Sequence, residues 1–95
     1  VGTDGGAAGR HRPSSELPIH RRIYEGRPDL RAVVHAHPVA LVSFSIVGRT
    51  PEPRIIPQAA GVCGRVGFAR YELPGSERLG EVVAEAFAEG PTAWC

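Results

Sequence analysis

The apolar positions near the C-terminus recur with the period of an α-helix. From Ser76 to Glu89 they are spaced at i, i+3, i+4, i+7 and i+8, which places them along one face of a helix. Ser76 offers a side-chain oxygen for the N-cap, and Gly90-Pro91 supplies a stop signal at the other end. The pattern therefore predicts an amphipathic helix. Its buried face is expected to comprise Leu79, Val82, Val83, Ala86 and Phe87.

A second helix is predicted to begin within Pro13–Glu16, where two serines can cap the first turn and an acidic residue follows them. Pro18 still falls in the first turn, where a proline is tolerated. The helix is expected to run to about Glu25, because Gly26 and then Pro28-Asp29 are typical of a C-terminal stop.

Shorter apolar runs predict strands between the two helices and after the second one. Ala32–His37 is rich in β-branched residues, Val66–Tyr71 is a second candidate, and Thr92–Cys95 reads as the opening of a third. Val39–Val47 is compatible with a strand or with a buried helix, since short apolar runs do not distinguish the two. Gly48–Pro57 carries three prolines and is predicted to be a loop. Interleaved helices and strands indicate a mixed α/β domain.

Length, charge and amino-acid composition limit the classes of function that this chain can have. The 95 residues suffice for one domain, here a flexible Gly-rich lead-in over 1–12 followed by a domain over 13–95. A net charge of +1, carried by scattered arginines, predicts no nucleic-acid partner, and no apolar run is long enough to span a membrane. Two cysteines predict no disulfide framework and favour a cytoplasmic setting. Without any methionine, the chain is expected to be processed or part of a longer product.

Candidate chemistry centres on His35 and His37. Residues two apart on a strand point to the same side, so both imidazoles can approach one metal ion. The chain contains no lysine, which excludes a lysine Schiff base within these residues and makes a metal the obvious electrophile for a carbonyl substrate. A cupin site also uses His-x-His, but residues 38–47 lack the acidic ligand that it requires. A third ligand is missing, because His11 lies in the lead-in.

The predicted start of the first helix carries three further candidates. Ser14 and Ser15 could bind an anion such as phosphate at a helix N-terminus, although ordinary capping is the more frequent role of such serines. Glu16 could act as a general base, or it could simply interact with the helix dipole. His20 lies four residues further on the same face, where pairing with Glu16 or packing in the core is favoured over metal ligation.

As a set, these motifs resemble the class II aldolase/adducin family, whose members include L-fuculose-phosphate and rhamnulose-phosphate aldolases. The resemblance covers roughly residues 13–94 and is weaker after the first block. Its motifs are Pro13-Ser14-Ser15-Glu16, His20 with Tyr24, Arg27-Pro28-Asp29, Ala32-Val33-Val34-His35-Ala36-His37-Pro38, and Glu72-Leu73-Pro74-Gly75-Ser76 with the helix after it.

The resemblance implies a fold and an assembly. We expect a three-layer αβα sandwich around a mainly antiparallel sheet, incomplete in a chain of this length, that assembles as a homotetramer with sites between subunits. The third zinc-binding histidine of the family would lie beyond Cys95, outside this chain. The glycine-rich start does not match the phosphate-binding turns that precede this region in the family.

The resemblance also implies a reaction. Zn²⁺, or another divalent metal, would be held by His35 and His37, and Glu16 would transfer the proton. Ser14 and Ser15 would help to hold the phosphate of a sugar phosphate. The implied activity is that of an aldehyde-lyase, which performs reversible aldol cleavage through a metal-stabilised enediolate.

Other activities of the superfamily remain open. A pentulose-phosphate 4-epimerase typically has aspartate where this chain has Glu16, so the glutamate favours an aldolase or a thioribulose-phosphate dehydratase. A non-catalytic, adducin-like or truncated domain is the alternative from another functional class. Joint retention of Glu16, His35 and His37 argues against an adducin-like domain that only binds partners.

Overall fold

The computed structural model describes residues 1, 2, 4 and 6–88, together with the backbone of residues 93–94. Helices dominate this part of the chain, and the only β-structure within it is one pair of two-residue strands. The elements in chain order are α1 (Leu17–Gly26), α2 (Val39–Ile46), a 3₁₀ turn (Pro53–Ile55), α3 (Pro57–Cys63), β1 (Val66–Gly67), α4 (Glu77–Ala88) and β2 (Ala93–Trp94).

The core forms where α1 packs against α4. Ile19 and Ile23 of α1 and Val83 of α4 are almost completely buried, and Phe87 is buried beside them. The helical spacing seen in the sequence therefore places the expected face of α4 in the core. The predicted cap is also confirmed, because the Leu79 backbone N–H donates to Ser76 Oγ at 3.0 Å. Glu89 and Gly90-Pro91, where this helix was predicted to end, lie outside the described residues.

Gly80 sets the distance between the two helices. A Cβ atom at this position would lie 2.8 Å from the carbonyl oxygen of Pro18 and 3.0 Å from Arg22 Cγ. Only a residue without a side chain lets the first turn of α1 approach α4 so closely, since contacts below 3.0 Å force the backbone to shift.

Ion pairs line the exposed edge of the same contact. Arg21 Nη2 donates to both carboxylate oxygens of Glu77, at 3.0 and 2.8 Å, and Arg22 lies within 4 Å of Glu77 and Glu81. Exposed pairs of this kind add little free energy individually, so they align the helices more than they stabilise them.

Arg27 ties the chain after α1 to the far end of α4. Its Nη1 donates to the carbonyl oxygen of Phe87 at 3.0 Å, while Nε and Nη2 donate to the Asp29 carboxylate at 2.8 and 2.7 Å. The hydrogen bonds from Arg27 lower the pKa of Asp29. A cation that satisfies a terminal carbonyl also interacts favourably with the negative end of the helix dipole.

The expected three-layer αβα sandwich around a mainly antiparallel sheet is wrong for this chain. The described residues contain one parallel pair, in which Val66 is opposite Ala93 and Gly67 is opposite Trp94. Ala32–His37 has no regular secondary structure, and none of the described strands pairs with it. The strand expected over Val66–Tyr71 is likewise limited to its first two residues.

The remaining elements correct or complete the local predictions. Val39–Val47, which the sequence left open, forms helix α2, and the predicted loop over Gly48–Pro57 is followed at once by helix α3. The strand expected over Thr92–Cys95 is present at Ala93–Trp94, and its outer two residues lie outside the described part. None of the described helices is long and apolar enough to cross a bilayer.

Gly80→Ala should destabilise the protein by about 1–3 kcal/mol, because the new methyl group overpacks the contact with Pro18 despite the higher helix propensity of alanine. Gly26→Ala is the matched control, since a Cβ there meets no other atom within 4 Å. Urea unfolding followed by circular dichroism measures both variants. Equal stability of the two would contradict this account of the helix contact.

Candidate functional site

One open cavity of about 900 Å³ lies beside the α1–α4 core. Three parts of the chain form its walls: residues 32–38, the inward side of α2, and residues 68–72. Core side chains such as Ile19 and Phe87 form its base. Most of this lining is apolar, so the few polar groups in the walls are the candidates for catalysis or ligand binding.

His35 and His37 both line this cavity, and their ring centroids lie 4.8 Å apart with a 46° angle between the ring planes. Along this segment Val33 and His35 are partly buried, whereas Val34 and His37 are exposed. Val33 packs against the core and anchors the segment. The two rings are thus brought together without the strand that the sequence predicted.

The spacing of the two rings fits shared coordination of one metal ion. With Zn–N bonds of about 2.0–2.1 Å and tetrahedral angles, the centroids of two imidazoles on one zinc ion lie about 5 Å apart. The described residues contain no group of three His, Cys, Asp or Glu side chains placed to hold a metal. The arrangement therefore offers two ligands, whereas a catalytic zinc site ordinarily has three protein ligands.

Glu16 lines the same cavity from the start of α1. It is the N-cap residue of that helix and is partly buried, and its backbone N–H donates to Ser14 Oγ at 3.2 Å. The structure thus brings the predicted base and the predicted metal ligands to one cavity. A carboxylate beside an apolar wall is well suited to exchange protons with a bound substrate.

The two serines lie beside this cavity, not in its wall. Both are exposed and neither is among its described lining residues. Ser14 accepts the hydrogen bond from Glu16, while the Ser15 carbonyl oxygen lies 3.1 Å from where a Cβ of Gly75 would be, so a side chain would be tight there. Gly75 also has a positive φ of 75°, which favours glycine. The predicted phosphate contact is therefore not tested by this arrangement.

Sequence reasoning missed the opposite wall, at residues 68–72. Phe68, Tyr71 and Glu72 line the cavity there together with Arg70, whose Nε lies 3.5 Å from Glu72 Oε1. The sequence signal was only the weak resemblance that begins at Glu72. The strand prediction over this segment gave no indication of which side chains line the cavity.

Comparison with known proteins gives a family match over the whole chain. The profile of the class II aldolase and adducin N-terminal domain matches residues 1–95. A 3-oxo-tetronate 4-phosphate decarboxylase of Cupriavidus necator is 30% identical over 99% of this chain and 49% of its own length.

Two L-fuculose phosphate aldolases are also similar. The Methanococcus maripaludis protein is 31% identical over 82% of this chain and 43% of its own length, and an Escherichia coli O157:H7 protein is 41% identical over 78% and 34%. The chain thus spans about half or less of the length of these relatives. No solved structure matches it significantly. The family match and the identities of the relatives agree, and the chain belongs to the class II aldolase and adducin N-terminal domain family.

Proposed function

We propose that this chain carries part of the active site of a metal-dependent lyase that cleaves a sugar phosphate by a reversible aldol reaction. The observation that carries the proposal is the presence of Glu16, His35 and His37 in the wall of a single cavity. Membership of the family supports a lyase, and similar proteins named L-fuculose phosphate aldolase support the substrate class.

His35 and His37 would hold the metal, which we propose to be Zn²⁺, although another divalent ion could take its place. Two neutral imidazoles leave coordination positions for a further protein ligand and for substrate oxygens. A bound divalent ion would act as a Lewis acid, stabilising the negative charge that develops on substrate oxygen. The ring centroids of the two imidazoles already lie 4.8 Å apart, which supports a shared ion.

Glu16 would move the proton. It directly precedes α1 and lines the cavity that the two histidines also line. Apolar side chains of α2 and of the core line the same open cavity. We also keep Ser14 and Ser15 as the proposed phosphate contact, because they directly precede Glu16 at a helix N-terminus.

Decarboxylation of a phosphorylated 3-oxo acid is the second candidate reaction. Its support is the similarity to 3-oxo-tetronate 4-phosphate decarboxylases, one of which aligns with 99% of this chain. Both reactions break a carbon–carbon bond next to a carbonyl group and leave the electron pair as an enolate. The same Lewis acid and proton-transfer residue would therefore serve either reaction, and the group that leaves distinguishes them.

A homo-oligomer, which we propose to be a tetramer, is supported by the surface of α2. Val39 and Phe44, which are outside the cavity lining, are 82% and 40% exposed, and no residue of this helix is buried. An exposed apolar helix surface is typical of interaction sites.

Zinc titration of the chain, followed by NMR of the imidazole signals, should shift His35 and His37 while His11 stays unchanged. The binding is expected to be weak, because only two ligands are present. His35→Ala or His37→Ala should abolish the response of the remaining partner, and His11→Ala is the matched control. Equal shifts at every histidine, or none, would contradict the proposed metal site.

Glu16→Gln should abolish turnover while leaving zinc binding at the histidines intact, because the amide cannot accept the proton. The assay uses the protein as the cell makes it, with L-fuculose phosphate and 3-oxo-tetronate 4-phosphate as substrates. Released aldehyde indicates aldol cleavage and released carbon dioxide indicates decarboxylation. Glu85→Gln on the exposed side of α4 is the control, and unchanged turnover in Glu16→Gln would remove this residue from its role.

A further inference from the structure

His20 is a third imidazole close to the proposed metal site, and the proposed chemistry gives it no role. It lies on α1, is partly buried, and its ring centroid is 6.4 Å from that of His35 with a 55° angle between the planes. We infer that His20 is a positioning residue that holds the His35 ring towards the cavity, an inference that rests on the proposed metal site.

The separation of the two rings argues against His20 as a ligand. Imidazoles on one tetrahedral metal ion have centroids about 5 Å apart, which agrees with the 4.8 Å between His35 and His37 but not with 6.4 Å. A direct hydrogen bond between ring nitrogens would likewise bring the centroids to roughly 5 Å. Tilted ring packing extends from about 4.5 to 7 Å and accommodates the observed distance.

The position of His20 relative to the cavity agrees with this role. Glu16, His35 and His37 line the cavity, but His20 is absent from its described lining, so it approaches His35 from the side of the helix. Helix α1 itself is fixed through Ile19 and Ile23, which are 1% and 0% exposed. His20 therefore connects a rigid core helix to a segment that has no regular secondary structure.

The expected benefit for metal binding is that the His35 ring is oriented before the ion binds. A metal ligand whose ring must be ordered on binding loses affinity through the entropy of that ordering, which for one side chain amounts to roughly 3–10-fold. Ring packing against His20 would restrict the His35 side chain before any metal arrives. Since the effect depends on the shape of the ring and not on its nitrogens, phenylalanine should replace histidine at this position.

The experiment compares Zn²⁺ affinity in His20→Ala and His20→Phe, with His11→Ala as the matched control and thermal unfolding to verify folding. His20→Ala should weaken binding by roughly 3–10-fold and shift the His35 imidazole signals of the metal-free protein. His20→Phe should retain the wild-type affinity and the wild-type absorption spectrum of the Co²⁺ form.

The outcomes separate the two proposals. Equal losses in His20→Ala and His20→Phe, with a changed Co²⁺ spectrum, would make His20 a ligand and overturn the positioning role. Wild-type affinity and unchanged His35 signals in His20→Ala would also overturn it, while leaving the metal site intact. Absence of any Zn²⁺ response at His35 and His37 in the wild-type protein would refute the proposed function and this inference together.

Discussion

The close contact between α1 and α4 is the constraint on which the rest of the structure depends. Gly80 allows the first turn of α1 to reach α4, and Ile19, Ile23 and Val83 fill the space behind that contact. Because Glu16 immediately precedes α1, the packing that forms the core also fixes the backbone position of the candidate base. The site is therefore built outward from the helix pair, with one of its three polar groups on the pair and two on a segment anchored against it.

Local sequence information predicted the helices better than the strands. The spacing of Val82, Val83 and Phe87 identifies α4 because helix hydrogen bonds form within the element itself. A strand at Ala32–His37 would need a hydrogen-bonding neighbour, and no local pattern encodes whether one is present. Helix α3 was missed for a different reason: the prolines up to Pro57 predicted a loop that ends where the helix begins, although proline is also favoured in the first turn of a helix.

The candidate site was predicted in part. The prediction from the spacing of His35 and His37 that their rings lie together is confirmed, with centroids 4.8 Å apart, although the segment forms no β-ladder. The number of residues between Glu16 and the two histidines carries no such information. Only the tertiary packing brings Glu16 to the same cavity. The opposite wall at residues 68–72 and the approach of His20 depend entirely on tertiary structure, which explains why the sequence did not reveal them.

The absence of a β-ladder around the two histidines has a consequence for local opening. Amide groups between Arg31 and Pro38 belong to no helix or sheet, so this stretch should exchange its amide hydrogens faster than α1 or α4. An ion that bridges two imidazoles would close a small ring in the chain and slow that exchange. The free energy of ion binding is therefore linked to the free energy of ordering this backbone segment.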